Sequence, residues 1–183
     1  MSKACIFMAN GCEEVEALTV VDLLRRAAIE ITMVSVTGGL DIVGRSGIAF
    51  KADALYEDVS FEEADLLVLP GGMPGTTTLG DHKALGQLLK EKAADGSTYI
   101  GAICAAPMVL GALGLLEGKN ATIYPGMEEE LVGAKALTEK VVKDDRIITS
   151  RGVGTAIDFA LCLITCLEGA AKAEEVAHSI VFQ

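Results

Sequence analysis

The chain has 183 residues, a net charge of −11 at neutral pH, and a 51 % share of hydrophobic residues. The acidic balance argues against nucleic acid and anionic membranes as partners, because neither would meet a basic surface. No stretch approaches the roughly 20 apolar residues of a membrane span, and the length suits one packed domain, predicted over residues 1–183.

Apolar runs and amphipathic stretches alternate along the chain. The predicted elements of the first half are, in chain order, a strand at Ala4–Met8, a helix at Glu13–Ala28, a β-rich segment at Glu30–Thr37, a hairpin of Leu40–Val43 with Ile48–Lys51, and a strand at Leu66–Leu69. Those of the second half are a helix at Lys83–Ala94, a strand from Tyr99 to Cys104, a helix at Ala105–Leu116, a strand at Ala121–Tyr124, a hairpin of Val141–Val142 with Ile147–Thr149, and helices at Thr155–Leu167 and Lys172–Val181. Strands interleaved with helices predict parallel β-α-β units and an open α/β sheet covered on both faces.

Cys104 lies between a predicted strand and a predicted helix, where the chain must turn sharply. This position presents the sulfur at the carboxyl edge of the sheet, over the unpaired N–H groups of the helix. These donors and the helix dipole favour a thiolate, which is nucleophilic and oxidisable. A buried cysteine more often acts as a small hydrophobic residue, but structural cysteines usually lie inside an element. We therefore predict that Cys104 is the most reactive cysteine of the chain.

Glu16 is the predicted partner of that sulfur. The segment Gly11–Glu16 follows the first strand, and the carboxyl ends of parallel strands meet at one edge of a sheet. Helix capping and the helix dipole explain Glu13 and Glu14, whereas Glu16 lies further in and can point across the strand ends. A carboxyl group beside a thiolate would share one proton with it. This predicts a raised pKa for the carboxyl, a lowered pKa for the thiol, and an acid that can pass a proton on.

Gly71 and Gly72 follow the buried Leu66–Leu69 strand. A pair of glycines forms a simple turn or lets the backbone approach a site without side-chain obstruction. If their N–H groups aim at the same point as the N–H of Ala105, together they form an oxyanion hole.

Histidine and metal chemistry find little support in the sequence. The two histidines are His82 and His178, and neither lies in a segment expected at the strand ends. A Cys–His dyad would require His82 to fold back over the site. No cluster of histidine, cysteine and aspartate has the spacing of metal ligands, so no metal is expected.

The other cysteines indicate a compartment and one alternative. Five cysteines without the dense spacing of a secreted disulfide scaffold favour a reducing cytoplasm. Cys162 and Cys166 lie one helical turn apart, which is typical of core packing. Cys12, in the loop that precedes Glu16, is the candidate for a resolving thiol if it comes close to Cys104.

Four motifs in order give the chain a resemblance to a known family: Gly11–Glu16 (GCEEVE), Leu69–Gly72 (LPGG), Ala102–Pro107 (AICAAP) and Thr149–Thr155 (TSRGVGT). On these motifs the chain resembles the ThiJ/PfpI superfamily, within it the branch of the parkinsonism-associated protein deglycase and its bacterial relatives. The similarity runs nearly from end to end.

The resemblance implies a flavodoxin-like three-layer sandwich, mostly parallel, that forms homodimers and needs no cofactor. It carries over Cys104 as the reactive cysteine and Glu16 as its carboxyl partner. Gly72 and Ala105 match positions whose backbone N–H groups surround the sulfur. Arg45 and Arg151 fall near arginines that the family places at or beside the dimer interface, so the resemblance implies the same place for them.

Two positions depart from parts of that family. Tyr124 stands where some members have a histidine proposed to assist catalysis, and a phenol is a poor base near neutral pH. Ala105 follows the cysteine where peptidase-like branches have a histidine, so Cys–His proteolysis is not expected.

The resemblance implies a glyoxalase or deglycase that acts on methylglyoxal, glyoxal or early glycation adducts on proteins. Cys104 would attack the aldehyde, the Gly72 and Ala105 amides would hold the oxyanion, and Glu16 would move a proton. The alternative is a redox sensor or redox-regulated chaperone in which Cys104 is oxidised to a sulfinate. Both use the same residues, so the sequence leaves the two functions open.

Overall fold

A seven-stranded sheet forms the centre of the computed structural model, which describes residues 1–182. The strands are β1 (Lys3–Met8), β2 (Glu30–Ser35), β3 (Asp41–Val43), β4 (Ala49–Lys51), β5 (Ala54–Leu55), β6 (Leu66–Leu69), β7 (Tyr99–Ile103), β8 (Asn120–Ala121), β9 (Lys135–Ala136), β10 (Val141–Asp144) and β11 (Ile147–Ser150). The helices are α1 (Glu14–Arg26), α2 (Gly75–Asp81), α3 (Lys83–Asp95), α4 (Pro107–Ala112), α5 (Ala156–Glu168) and α6 (Ala170–Ser179), with single 3₁₀ turns at Tyr56–Asp58, Glu128–Glu130 and Val153–Thr155.

The order of strands in the central sheet is β10-β11-β7-β6-β1-β2-β5. All of its neighbours pair in parallel except β10 and β11, which form an antiparallel hairpin. β6 has four consecutive apolar residues, all buried, as expected of a parallel strand that helices cover on both sides. The carboxyl ends of β1, β6 and β7 therefore lie side by side at one edge.

Helices cover both faces of this sheet. On one face, apolar residues of α1, α5 and α6 pack against the strands, including Val20, Leu24, Phe159 and Leu163. On the other face, Leu79, Leu85, Leu89, Val109 and Leu110 of α2, α3 and α4 do the same. This three-layer, mostly parallel arrangement confirms the predicted flavodoxin-like fold. None of the helices in residues 1–182 is long and apolar enough to cross a membrane.

Both predicted hairpins are confirmed, since β3 pairs antiparallel with β4 and β10 with β11. Three other predictions need correction. The helix α2 was not expected, because Thr and Gly dominate its seven residues and have modest helix propensity. The helix after Cys104 is shorter than predicted and covers Pro107–Ala112, because Gly114 adopts a left-handed φ of 76° that a helix cannot continue through.

The predicted strand at Ala121–Tyr124 is also wrong in its extent. Only Asn120–Ala121 forms a strand, and it pairs with β9 in a small separate sheet. The following amides leave the ladder: the N–H of Thr122 donates to Thr149 Oγ1, and the N–H of Tyr124 donates to the carbonyl of Cys104. The segment thus crosses over the carboxyl edge and brings Tyr124 to Cys104.

Candidate active site

Cys104 occupies the turn between β7 and α4 with a φ of 62°. A non-glycine residue rarely adopts this left-handed conformation, and it persists only when the surroundings hold it. Here the N–H of Cys104 donates to the carbonyl of Ser150 at 3.0 Å, and its carbonyl accepts from the N–H of Tyr124 at 2.9 Å. Two neighbouring segments therefore hold the backbone on both sides of the sulfur, in the sharp turn expected from the sequence.

Glu16 is fully buried beside this sulfur, in the first turn of α1. Its Oε2 accepts the N–H of Gly71 at 3.0 Å, and its carboxyl group hydrogen-bonds the side chain of Cys104. The other oxygen, Oε1, is buried and has no hydrogen-bond partner among the described residues. A buried carboxyl oxygen without a partner is costly, so this atom is a point at which a ligand or water can gain a hydrogen bond.

The carboxyl group and the thiol titrate as a coupled pair. Burial raises the pKa of Glu16 to about 7, against smaller opposing effects of the hydrogen bonds from Cys104 and Gly71. Burial, followed by the negative charge of Glu16, raises the pKa of Cys104 to about 12. The pair therefore holds a single proton over a wide range above neutral pH. The raised carboxyl pKa agrees with the sequence expectation. The expected lowering of the thiol pKa was wrong, because burial and then the negative charge of ionised Glu16 both disfavour a thiolate at Cys104.

The two glycines after β6 have different positions relative to the sulfur. The amides of Gly72 and Ala105 hydrogen-bond the sulfur and oppose the rise in its pKa. The amide of Gly71 is instead taken by Glu16. Neither glycine tolerates a side chain: a Cβ on Gly71 would lie 2.4 Å from Cys104 Cβ, and one on Gly72 would lie 2.3 Å from the nitrogen of Glu13. The sulfur thus faces two amide donors, one from each of two strand ends.

A cavity of about 460 Å³ opens above Cys104 and Glu16. Its wall includes the side chains of Arg45, Tyr124 and Arg151. A second cavity of about 270 Å³ shares Arg45, Cys104 and Tyr124 with the first and continues along Gly72, Met73, Ala105 and Met127. Tyr124 is 50 % exposed, so its phenol is accessible from the space above the sulfur.

Both arginines predicted beside a dimer interface line the larger cavity. Arg45 Nη1 lies 3.8 Å from Glu13 Oε2, and this guanidinium is 56 % exposed. Arg151 donates to the carbonyl of Thr138 at 3.0 Å and lies 3.7 Å from Glu128. The cavity therefore has the carboxyl group of Glu16 at its buried end and two arginines in its wall, each beside a carboxylate.

Two other predicted candidates lie outside this cavity. His82 caps α3, where its Nδ1 accepts the N–H of Leu85, so it does not fold back over Cys104. Cys12 is fully buried, and burial raises its pKa to about 11. Both properties disfavour Cys12 as a resolving thiol. The sequence analysis missed Met73 and Met127 as wall residues, because nothing in their spacing links the loops that bring them to Cys104.

Comparison with known proteins agrees with this arrangement. The family model described as the DJ-1/PfpI family matches residues 2–166. The chain is 39 % identical to Protein dj-1beta of Drosophila melanogaster over 184 residues, covering 99 % of this chain and 98 % of the relative. It is 33 % identical to the glutathione-independent glyoxalase DJR-1.2 of Caenorhabditis elegans over 165 residues, covering 89 % of this chain and 87 % of the relative.

The fold has close counterparts among solved structures. One of them, an oxidized DJ-1 of Toxoplasma gondii, superposes with a TM-score of 0.95 at 36 % identity. The match covers 100 % of this chain and 99 % of the Toxoplasma gondii chain. The chain spans 45 % of the length of Protein DJ-1 homolog A of Arabidopsis thaliana, to which it is 40 % identical. With a family model that matches most of its length and relatives of equal size above 30 % identity, the chain belongs to the DJ-1/PfpI family.

Proposed function

We propose that the protein is a cysteine-dependent, cofactor-independent enzyme that converts small reactive carbonyls such as methylglyoxal and glyoxal. The observation that carries this proposal is the contact of one sulfur with both an acid and two amides. Glu16 hydrogen-bonds Cys104, and the Gly72 and Ala105 amides face the same atom beneath an open cavity. The relative named a glutathione-independent glyoxalase supports the same reaction class.

The first step is an addition to the aldehyde. In the one-proton form of the pair, the proton moves to Glu16 and the Cys104 thiolate attacks the aldehyde carbon. A sulfur–carbon bond forms while the carbonyl π electrons move to oxygen. The amides of Gly72 and Ala105 stabilise that oxyanion, and transfer of the proton from Glu16 to the oxyanion gives a hemithioacetal and an ionised Glu16.

The second step moves a proton between neighbouring carbons. Glu16 takes the proton from the former aldehyde carbon and returns it to the adjacent carbon, while the hydroxyl proton on the first carbon moves to the oxygen of the second. The second carbonyl thereby becomes an alcohol and the first carbon becomes a thioester. Water then cleaves the thioester, releasing a hydroxy acid and restoring the thiol. The unpartnered Oε1 of Glu16 is the atom we assign to this transfer, because Oε2 is held by Gly71.

Early glycation adducts on proteins would follow the same steps, so we propose them as further substrates. The deciding experiment is steady-state turnover of methylglyoxal by the purified protein, with lactate measured as product. We expect many turnovers per chain and none in Cys104→Ser. A stoichiometric burst without turnover would contradict the proposed enzyme.

A second candidate is a redox sensor or redox-regulated chaperone at the same sulfur. The observation that favours it is the buried Oε1 of Glu16, which can hydrogen-bond an oxygen added to Cys104. We expect mild peroxide to add two oxygens to Cys104 and not to form a disulfide with Cys12, which is fully buried. A peroxide-sensitive protein without methylglyoxal turnover would favour this alternative.

We propose that the protein is a homodimer in the cytoplasm. A groove of about 470 Å³ exposes apolar side chains of α1, α5, α6 and the β3–β4 hairpin, including Val15 (48 % exposed) and Ile48 (54 % exposed). A second copy would bury these residues. Light scattering should give twice the 19.0 kDa of one chain, and a value for a single chain at all concentrations would contradict the dimer.

The five free thiols suit a reducing compartment.

A further inference from the structure

A second group of thiols lies in α5, away from the cavity above Cys104. Cys162 and Cys166 are four residues apart, so their side chains lie on the same face of the helix. Both are partly exposed free thiols at the border of the core cluster under α5. Because α5 begins just after the carboxyl end of β11 and packs back along the sheet, Cys166 lies one turn nearer the amino edge than Cys162.

Two cations lie at the amino edge of the central sheet, toward which α5 runs. Arg146 precedes β11, and its guanidinium carbon lies 4.6 Å from the centroid of the Tyr99 ring. Lys143 Nζ lies 5.9 Å from the same centroid. A Cβ on Gly101 would touch Phe159 and Leu163 of α5, so the side of β7 that carries Tyr99 faces this helix. The ring therefore holds both cations on the α5 side of the sheet.

The surroundings of Cys166 favour its thiolate. The neighbouring thiol of Cys162 and the positive charges of Lys143 and Arg146 lower the pKa of Cys166 to about 7, against the opposing effect of burial. The neighbouring thiol of Cys166 and burial raise the pKa of Cys162. The negative end of the α5 dipole also acts against a thiolate at Cys166, and the two cations offset it.

The helix prevents the two thiols from closing into a disulfide. Side chains four residues apart on a helix have Cβ atoms about 5–6 Å apart, whereas a disulfide requires about 3.5–4.5 Å. Closing the bond would distort the end of α5. A disulfide that reacts with Cys166 therefore leaves a mixed disulfide on this residue instead of an internal bridge.

We propose that Cys166 is a second modification site, which takes a small anionic disulfide of the glutathione type by thiol–disulfide exchange. The Cys166 thiolate attacks one sulfur of the disulfide, a new S–S bond forms, and the other half leaves as a thiolate. No net oxidant is consumed beyond the disulfide itself. Lys143 and Arg146 attract the carboxylates of the incoming molecule, and Cys162 stays reduced.

The test treats the full chain with glutathione disulfide at about pH 7 and maps the modified peptides by mass spectrometry. We expect one glutathione on Cys166 in the wild type and in Cys104→Ser, and none there in Cys166→Ser. Turnover of methylglyoxal by Cys166→Ser should remain at the wild-type rate. Glutathione found on Cys104 or Cys162 in place of Cys166, or a disulfide within α5, would overturn the proposal.

A second measurement tests how the positive charge of Lys143 affects the reaction with the disulfide. Lys143 is exposed, so Lys143→Gln should fold normally, and Lys90→Gln on α3 is a matched loss of one exposed charge on the other face. We expect Lys143→Gln to slow the reaction with glutathione disulfide about 10-fold, the lower end of electrostatic steering, and to leave the reaction with cationic cystamine unslowed. Equal effects of Lys143→Gln and Lys90→Gln would contradict the assigned anionic class.

Discussion

The two edges of the central sheet carry thiols in opposite electrostatic surroundings. At the carboxyl edge, Cys104 faces the carboxyl group of Glu16. At the amino edge, the positive charges of Lys143 and Arg146 help to lower the pKa of Cys166. A thiolate at Cys104 forms together with a protonated acid, whereas the groups that favour a thiolate at Cys166 are a second thiol and two cations.

The difference determines which chemistry each edge can perform. Carbonyl conversion needs a nucleophile and a group that donates and accepts protons within one site, which Cys104 and Glu16 provide. Disulfide exchange needs only a thiolate and a leaving group, which Cys166 provides. The backbone conformation of the two cysteines also differs. Cys104 lies in a left-handed turn over amide donors, whereas Cys166 lies inside a regular helix.

The largest expected effect tests whether the two edges act independently. Cys104→Ser should lower methylglyoxal turnover at least about 1,000-fold, because no other group replaces the nucleophile. Cys166→Ser serves as the matched control and should keep the wild-type rate. Lactate formation by both purified variants measures this. If Cys166→Ser also loses activity, the carbonyl conversion depends on the thiol at the amino edge, and the two edges do not act independently.

The next largest effect tests proton transfer by Glu16 separately from the nucleophilic role of Cys104. Glu16→Gln keeps an acceptor for the Gly71 amide but cannot relay a proton, so turnover should fall about 100-fold or more. Glu14→Gln in the same helix turn is the control, since Glu14 accepts the N–H of Ser46 and does not face Cys104. Wild-type turnover in Glu16→Gln would reduce Glu16 to a structural residue of the helix start.

The sequence predicted which functional residues meet at the carboxyl edge better than it predicted those that meet at the amino edge. An apolar strand that ends at a cysteine, followed by Pro107, identified the turn at Cys104, and the position of Glu16 in the first helical turn identified its partner. The direction of the thiol pKa could not be predicted in this way, because it depends on how deeply the pair is buried.

The amino edge lacks any local pattern that joins its members. Lys143, Arg146 and Tyr99 are brought to Cys166 only by the pairing of β11 with β7 and the packing of α5 on that sheet. The spacing of Cys162 and Cys166 alone indicated core packing, and the two side chains do pack at the border of the core. The neighbouring cations are a property of the fold that the linear spacing does not contain.

A smaller effect should appear in the pH dependence of turnover. Burial raises the pKa of Glu16 to about 7, and below this value both the acid and the thiol are protonated. Turnover should therefore rise about tenfold between about pH 6 and about pH 8, as the pair passes into its one-proton form. Initial rates in buffers of constant ionic strength measure the profile. A rate that falls with rising pH in this range would contradict the shared proton.

The smallest expected effect concerns the two tyrosines, one at each edge. Tyr124 lines both cavities above Cys104, and its hydroxyl can hydrogen-bond a carbonyl bound there. Tyr124→Phe removes only that hydroxyl, and a single neutral hydrogen bond is worth about 1 kcal/mol, so turnover should fall about 5-fold. Tyr99→Phe is the control at the amino edge, because its ring contacts Lys143 and Arg146, and it should leave turnover unchanged. A loss of about 100-fold in Tyr124→Phe would place the phenol beside Glu16 as a second proton donor.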